Sequence, residues 1–215
     1  MTKEEMLSHI DHTLLKPVST WEQVRVICEE GAAHHTASVC IPPAFVKRAA
    51  EEFKGKVKIC TVIGFPLGYN TTQTKVFEAK EAIENGADEV DMVVNLGDVK
   101  EGNFDKVTEE IRALREASKG HILKVIVETC YLTEEEKIAL CKCVTDAGAD
   151  HIKTSTGFGT GGATIEDIEL FKQHIGPDVK MKASGGVKTL EDLTKFLDAG
   201  CDRIGSSSAV ELLKA

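Results

Sequence analysis

The feature of this sequence that most restricts its fold is a repeated turn, in which a Gly-x-Asp step leads from a helical stretch into an apolar one. The turn occurs three times, at residues 85–88, 147–150 and 199–202. Glycine at its second position fits the left-handed residue that follows many helices. An apolar β-branched residue stands four positions after each glycine, which favours a strand packed against helices. The repeat therefore predicts βα units and a parallel sheet.

The same alternation of apolar and amphipathic stretches continues along the chain and gives eight candidate strands. Eight βα units of about 25–30 residues favour a closed barrel over an open sheet. The sequence thus predicts an α/β protein with a (β/α)₈ (TIM) barrel, in a single domain spanning residues 1–215. The predicted strands are Asp11–Leu15, Ala37–Ile41, Lys58–Ile63, Glu89–Asn95, Leu123–Thr129, His151–Ser155, Lys180–Ser184 and Arg203–Ser206.

Composition and charge exclude several classes of partner. A formal net charge of −9 excludes the broad basic surface of a nucleic-acid-binding protein. The start of the chain lacks the apolar core of a signal peptide, and no apolar run approaches the ~20 residues of a membrane span. Seven cysteines occur without a CxxC pair, as in a protein with reduced thiols. We therefore expect a cytoplasmic protein with small-molecule substrates and neither nucleic acid nor membrane as a partner, and self-association stays open.

The repeat also predicts which side chains enter the barrel. Asp91, Lys153 and Gly205 stand five positions after the three repeat glycines, one position beyond the apolar residue of the strand. Because strand side chains alternate between faces, these three residues should point inward. They belong to the fourth, sixth and eighth strands, and alternate strands contribute to the same interior layer. We therefore expect them at similar height in the barrel.

The odd strands add two further charges to the predicted interior. With Val125 and Met181 facing the helices, Lys124 and Lys182 should point inward. A single carboxylate, Asp91, cannot neutralise three ammonium groups, and unpaired buried charges are costly. Some lysine should therefore be neutral near pH 7, as an amine that attacks carbonyl groups must be. An internal ion-pair network, or lysines at the solvated ends of the barrel, is the alternative interpretation.

Two loops after the last strands have the composition of a phosphate site. Gly185 and Gly186 follow the seventh strand, and Gly205, Ser206 and Ser207 end the eighth. Barrels of this class often bind phosphate with these two loops and a helix N-terminus. Ordinary turns and caps are the alternative for either loop alone. A third glycine-rich stretch, residues 154–162, could close on a substrate or merely link strand to helix.

Five segments together resemble one known family. They are Asp11–Pro17, Glu89–Asn95, Lys124–Thr129, Ile152–Gly157 and Lys182–Val187, and they look like deoxyribose-phosphate aldolases. The resemblance covers nearly the whole chain. It implies a class I, Schiff-base lyase of deoxyribonucleotide and carbohydrate catabolism, which reversibly cleaves 2-deoxy-D-ribose 5-phosphate into acetaldehyde and D-glyceraldehyde 3-phosphate. It also implies that the reaction requires no cofactor and no metal.

The resemblance assigns roles to residues already singled out and adds one residue. It implies that Lys153 is the Schiff-base lysine, with Asp91 and Lys182 as the proton-transfer pair. It also implies phosphate binding by Gly157, in addition to the residues of the two loops. Some family members have a lysine where this sequence has Phe158. Two alternatives stay open: a lysine-dependent barrel aldolase for another phosphorylated sugar or a keto acid, and a sugar-phosphate-binding barrel without turnover.

Overall fold

A computed structural model describes residues 1–214 and shows eight parallel strands that form a closed barrel in chain order. The predicted (β/α)₈ fold is confirmed. The first and last strands pair through Asp11 and Gly205, which closes the sheet. The strands are Ile10–Thr13 (β1), Ser38–Ile41 (β2), Ile59–Ile63 (β3), Glu89–Val93 (β4), Ile122–Ile126 (β5), His151–Lys153 (β6), Lys180–Ser184 (β7) and Arg203–Ser206 (β8).

Ten α-helices are found within residues 1–214. None of them is long and apolar enough to cross a bilayer. The helices are Lys3–Leu7 (α1), Trp21–Ala33 (α2), Val46–Phe53 (α3), Thr72–Glu84 (α4), Leu96–Lys100 (α5), Phe104–Ala117 (α6), Glu134–Asp146 (α7), Ile165–His174 (α8), Leu190–Asp198 (α9) and Ala209–Lys214 (α10).

The repeated turn has the conformation that its sequence predicts. Its three glycines end α4, α7 and α9 with positive φ, at 102° for Gly86, 71° for Gly148 and 105° for Gly200. The apolar residues that follow the three glycines are fully buried in the core between barrel and helices. They are Val90, Ile152 and Ile204. The turn therefore sets the register of β4, β6 and β8, and with it the face on which each of their later side chains lies.

Several strands end earlier than the sequence predicts. β4 ends at Val93 because the Asn95 side chain accepts a hydrogen bond from the Gly97 N–H and begins α5. β5 ends at Ile126, ahead of Glu128, whose φ of 55° is left-handed. β6 ends at Lys153 rather than Ser155. Apolar residues continue past the ends of β4 and β5, at Val94 and Val127, but the backbone has already turned into the loops above the barrel.

Candidate active site

A cluster of buried charges fills the centre of the barrel, around Asp91. One carboxylate oxygen of Asp91 lies 2.9 Å from Lys124 Nζ. The other accepts from both Lys153 Nζ and Lys182 Nζ, each at 2.8 Å. The register of the sheet is consistent with these contacts. Asp91 pairs with Lys124 on the neighbouring strand, and Lys153 pairs with Lys182. The structure thus brings together the four interior charges that the parity of the strands predicts.

The count of one carboxylate for three lysines is wrong. Asp11 on β1 and Glu89 on β4 also point into the barrel, and both are fully buried. Lys182 Nζ lies 2.5 Å from Asp11, and Lys124 Nζ lies 2.6 Å from Glu89. Arg203 joins the cluster by donating to Asp11 at 2.8 Å and to Glu89 at 3.0 Å. These contacts close a continuous network across the barrel.

Alternation along the strands could have identified these three missed residues. Glu89 and Arg203 stand two positions before Asp91 and Gly205, so they share the inward face. Asp11 was inside the first predicted strand, but that strand lacks the Gly-x-Asp turn that fixed parity elsewhere. With them, four cations face three carboxylates among the residues described. One neutral lysine would balance the cluster, so the expectation of a neutral amine survives the corrected count.

Lys124 and Lys182 are the two lysines that the network holds in the charged form. Burial alone would lower the pKa of Lys182, but the carboxylates of Asp11 and Asp91 outweigh it and raise that pKa. The pKa of Lys124 is also raised, because Asp11 and Asp91 again overcome burial. The three lysines in turn hold the pKa of Asp91 well below its usual value despite burial of the carboxyl group.

Lys153 differs from the other two lysines in its partners and its access. Among residues 1–214, Lys124 ion-pairs with three carboxylates and Lys182 with two, whereas Lys153 pairs with Asp91 alone. Lys153 is also the one of the three that lines a cavity of about 380 Å³ above the barrel. Of the three lysines it is therefore the one with the fewest carboxylate partners and with access to a substrate.

The cavity above Lys153 is formed by the loops at the carboxyl ends of the strands. Every residue that the sequence assigns to phosphate lines it, namely Gly157, Gly185, Gly186, Gly205, Ser206 and Ser207. Residues from the loop after β1 also line it, among them Leu14 and Lys16, and so does Lys188 after β7. No sequence pattern assigned these three residues to a site. Lys16 stands in the segment Asp11–Pro17, which resembles the aldolase family, and Lys188 stands two residues after Gly186. Their positions in the sequence could therefore have indicated that they lie at the site.

The loops after β6 and β7 meet at one wall of the cavity. Gly185 and Gly186 both have positive φ, at 79° and 81°. Gly162 packs so closely that a Cβ there would lie 2.2 Å from the Gly185 carbonyl oxygen. The Ala163 N–H donates to the Ser184 and Gly185 carbonyls at 3.1 Å. Within residues 1–214, the N–H groups of Gly185 and Gly186 donate to no protein acceptor, so they are available to an anion.

Glu128 anchors the loop that carries Gly157. Its buried carboxylate accepts from the Thr156 N–H at 3.1 Å and also from the Thr156 hydroxyl. The Thr156 hydroxyl oxygen in turn accepts from the Phe158 N–H at 3.0 Å. In the sequence, Glu128 stands out only as part of the segment Lys124–Thr129. Its role in shaping the loop depends on a contact across 28 residues.

One group of side chains has ligand atoms close enough for a metal ion. Cys40, Cys60 and Asp91 place one such atom each within 4.8 Å of the others. Burial raises the pKa of Cys60, and its Sγ lies 3.2 Å from an Asp91 oxygen, as expected of a protonated thiol that donates. Asp91 already binds three lysines. A cation would have to displace ammonium groups here, so the residues do not fit a metal centre.

Comparison with known proteins gives one consistent result. A model of the DeoC/LacD aldolase family matches residues 5–213. A protein of Clostridium botulinum strain Alaska E43, named deoxyribose-phosphate aldolase, is 62% identical over 100% of this chain and 97% of its own length. A protein of Clostridioides difficile strain 630 with the same name is 58% identical over 98% of this chain and 96% of its own length.

Solved structures agree with these relatives. A putative deoxyribose-phosphate aldolase from Coccidioides immitis has a TM-score of 0.96 at 41% identity, covering 100% of this chain and 86% of that one. A deoxyribose phosphate aldolase from Aeropyrum pernix, described as having a unique tetrameric structure, has a TM-score of 0.92 at 33% identity, covering 99% and 91%.

Proposed function

This chain belongs to the DeoC/LacD family of aldolases, and we infer from that membership that it cleaves 2-deoxy-D-ribose 5-phosphate reversibly into D-glyceraldehyde 3-phosphate and acetaldehyde. The reaction makes it a lyase of the class I type, which forms a Schiff base with a lysine. The structural observation that supports the inference is Lys153, which among residues 1–214 pairs with Asp91 alone and lines a cavity rich in glycine and serine.

We propose that Lys153 is the nucleophile. Its neutral Nζ adds to the C1 aldehyde of the open-chain sugar, and loss of water gives an iminium ion. The positive nitrogen accepts the electron pair of the C2–C3 bond as that bond breaks. The C3 hydroxyl loses its proton, glyceraldehyde phosphate leaves, and an enamine stays on Lys153. Protonation of the terminal carbon and hydrolysis of the imine release acetaldehyde and restore the amine.

Asp91 and Lys182 are proposed to be the proton-transfer pair. Lys182 keeps its proton in the resting site, so it is suited to donate one to the hydroxyl that leaves as water during imine formation. Asp91 bonds to both lysines through one oxygen, so it sets their relative position and stabilises the iminium ion. The proton of the C3 hydroxyl is then passed to this pair through a water molecule.

Trapping the Schiff base tests the proposal. With acetaldehyde and borohydride, peptide mapping should find an ethyl group on Lys153. Lys153→Leu should lose both the adduct and the release of glyceraldehyde 3-phosphate. Lys180→Met is the matched control, because Lys180 is an exposed lysine on a neighbouring strand. Binding of deoxyribose 5-phosphate without any trapped adduct would instead support a barrel that binds sugar phosphate without turnover. An adduct on Lys182 would reverse the two roles.

The cellular setting is also a proposal. All seven cysteines are free thiols, six of them buried, which supports action in the reducing cytoplasm. The tetrameric Aeropyrum pernix relative suggests that this chain, too, forms a homo-oligomer. Sedimentation of the purified protein against its 23.3 kDa chain mass would decide this.

A further inference from the structure

Cys60 is a fully buried thiol inside the barrel, and the proposed reaction steps make no use of it. It lies on β3 and pairs with Glu89 on β4, two positions before Asp91. Its Sγ lies 3.2 Å from one carboxylate oxygen of Asp91, Oδ1. Lys124 Nζ lies 2.9 Å from the same oxygen and 3.4 Å from Sγ. Thiol, ammonium group and carboxylate therefore form a compact triangle at Oδ1.

The thiol in this triangle acts as a hydrogen-bond donor. Burial raises the pKa of Cys60 well above its usual value, and the Asp91 carboxylate acts in the same direction, so the thiol keeps its proton. A thiol has a single hydrogen to donate, and a sulfur atom is a weak acceptor. The other acceptors near Sγ are the Thr61 carbonyl, at 3.8 Å, and the sulfur of Cys40. The Asp91 oxygen is closer than the carbonyl and carries charge, so it is the favoured acceptor.

The two oxygens of Asp91 have different partners. Oδ1 accepts from Cys60 and Lys124, whereas Oδ2 accepts from Lys153 and Lys182, each at 2.8 Å. The last torsion of an aspartate side chain has broad minima, so donors on both oxygens are needed to fix the plane of the carboxylate. A donor on Oδ1 also stabilises the Asp91 anion without help from Lys153. It therefore makes loss of the Lys153 proton less costly.

We propose that Cys60 is a positioning residue, which holds the Asp91 carboxylate through Oδ1 so that Oδ2 stays between Lys153 and Lys182. The proposal rests on the proposed function, because it concerns the carboxylate of that reaction. Cys60 is not among the described residues that line the cavity. It therefore acts on imine formation and turnover through Asp91, and it has no direct effect on substrate binding.

The test compares Cys60→Ala with Cys60→Ser, two changes that leave voids of similar size and differ in one hydroxyl donor. Cys60→Ala should lower kcat for 2-deoxyribose 5-phosphate about three- to tenfold, as expected for the loss of one weak hydrogen bond, and should leave KM unchanged. The pH of half-maximal imine formation with acetaldehyde should move to the alkaline side by about half a unit. Cys60→Ser should restore most of the rate and the wild-type pH profile, because its hydroxyl can donate to Oδ1.

A matched control is Cys141→Ala, which removes an equally buried thiol from α7, in the core between barrel and helices. This change should leave kcat and the pH profile unchanged. The infrared S–H stretching band of each thiol is isolated as the difference between the wild type and the corresponding alanine variant. The Cys60 band should lie at lower frequency than the Cys141 band, because a charged acceptor weakens the S–H bond more.

Three results would overturn the proposal. Equal losses of kcat in Cys60→Ser and Cys60→Ala would show that the thiol serves only in packing. Wild-type kinetics in Cys60→Ala would show that Asp91 needs no donor from this position, and a Cys60 band at the frequency of the Cys141 band would show that the thiol does not donate to the carboxylate. If the wild-type protein neither forms a trapped adduct nor cleaves deoxyribose 5-phosphate, the proposed function fails, whereas the infrared band still decides whether Cys60 donates to Asp91.

Discussion

Lys153 and Lys182 lie side by side in the barrel and donate to the same oxygen of Asp91. Their proximity matters because a second positive charge makes protonation of the first lysine more costly. At an effective dielectric constant near 20, two ammonium groups about 6 Å apart repel by about 3 kcal/mol, which corresponds to about two pH units. Asp91 offsets part of this repulsion, because both ammonium groups donate to the same carboxylate oxygen.

Lys182→Met should therefore move the pH at which imine formation with acetaldehyde is half-maximal to the alkaline side, by about one to two units. The shift is to higher pH because loss of a positive neighbour stabilises the protonated, unreactive form of Lys153. The measurement is the rate of borohydride trapping across pH, with Lys180→Met as the control. An unshifted pH profile in Lys182→Met would show that Lys182 acts only in proton transfer and is not also an electrostatic partner of Lys153.

Ser207 lines the same cavity as Gly185 and Gly186, whose N–H groups donate to no acceptor among the residues described. Ser207→Glu should raise KM for deoxyribose 5-phosphate at least tenfold, since a carboxylate would face the dianion at short range. Ser207→Ala, which removes only the hydroxyl, should have a much smaller effect. KM for unphosphorylated deoxyribose is measured in both variants. A rise of equal size for that sugar would argue against placing the phosphate here.

At the scale of elements, the loop between β6 and α8 joins Lys153 to Gly157, and both residues line the cavity. Glu128 holds the loop through the Thr156 N–H and hydroxyl, and the loop continues into Gly157. The carboxylate is buried and has no cationic partner among the residues described. Its bonds to Thr156 therefore decide where Gly157 stands relative to Lys153.

Glu128→Gln should raise KM for deoxyribose 5-phosphate about three- to tenfold, because a neutral amide binds two donors less firmly than a carboxylate. Thr156→Val removes the hydroxyl donor and should produce a similar change. The double variant should raise KM by a factor smaller than the product of the two single factors, since both changes remove the same contact. Glu134→Gln, an exposed change at the start of α7, is the control. Strictly multiplicative effects would show that the two residues act independently.

At the scale of the whole molecule, the buried charge network couples stability to pH. The lysines around Asp91 and Asp11 hold the pKa of each carboxyl below its usual value despite burial. In the unfolded chain such groups titrate near pH 4. A carboxyl whose pKa is lower in the folded state contributes stability above the unfolded value, and that contribution is lost as pH falls below it.

The free energy of unfolding should therefore be steady between pH 7 and 5 and should fall steeply below pH 4. Asp91→Asn should be less stable than wild type at pH 7, because it leaves buried ammonium groups without their partner. Its free energy of unfolding should also change less between pH 5 and pH 3 than that of the wild type. Urea titrations at these three pH values make the comparison. A parallel loss of stability in wild type and variant would show that Asp91 does not drive the acid transition.

The sequence was sufficient to predict the barrel and the face of the strand on which most interior side chains lie. A Gly-x-Asp turn is local, and alternation along a strand is local, so Asp91, Lys153 and Lys182 could be placed on the inward face without any distant contact. The two loops predicted to bind phosphate could be located for a similar reason, since their position after the last strands follows from strand order. Where alternation was not applied to a whole strand, Glu89 and Arg203 were missed.

What only the tertiary structure decided is the pairing of these charges. Lys182 meets Asp11 across 171 residues, and Arg203 meets Glu89 across 114, because β8 closes on β1 and brings the two ends of the chain together. How many carboxylates each lysine meets depends on these contacts. Local patterns fix the face on which a side chain lies, whereas electrostatic energy depends on distances between residues that are remote in the chain. The sequence could therefore require one neutral lysine, but only the closed barrel shows that Lys153 has the fewest carboxylate partners.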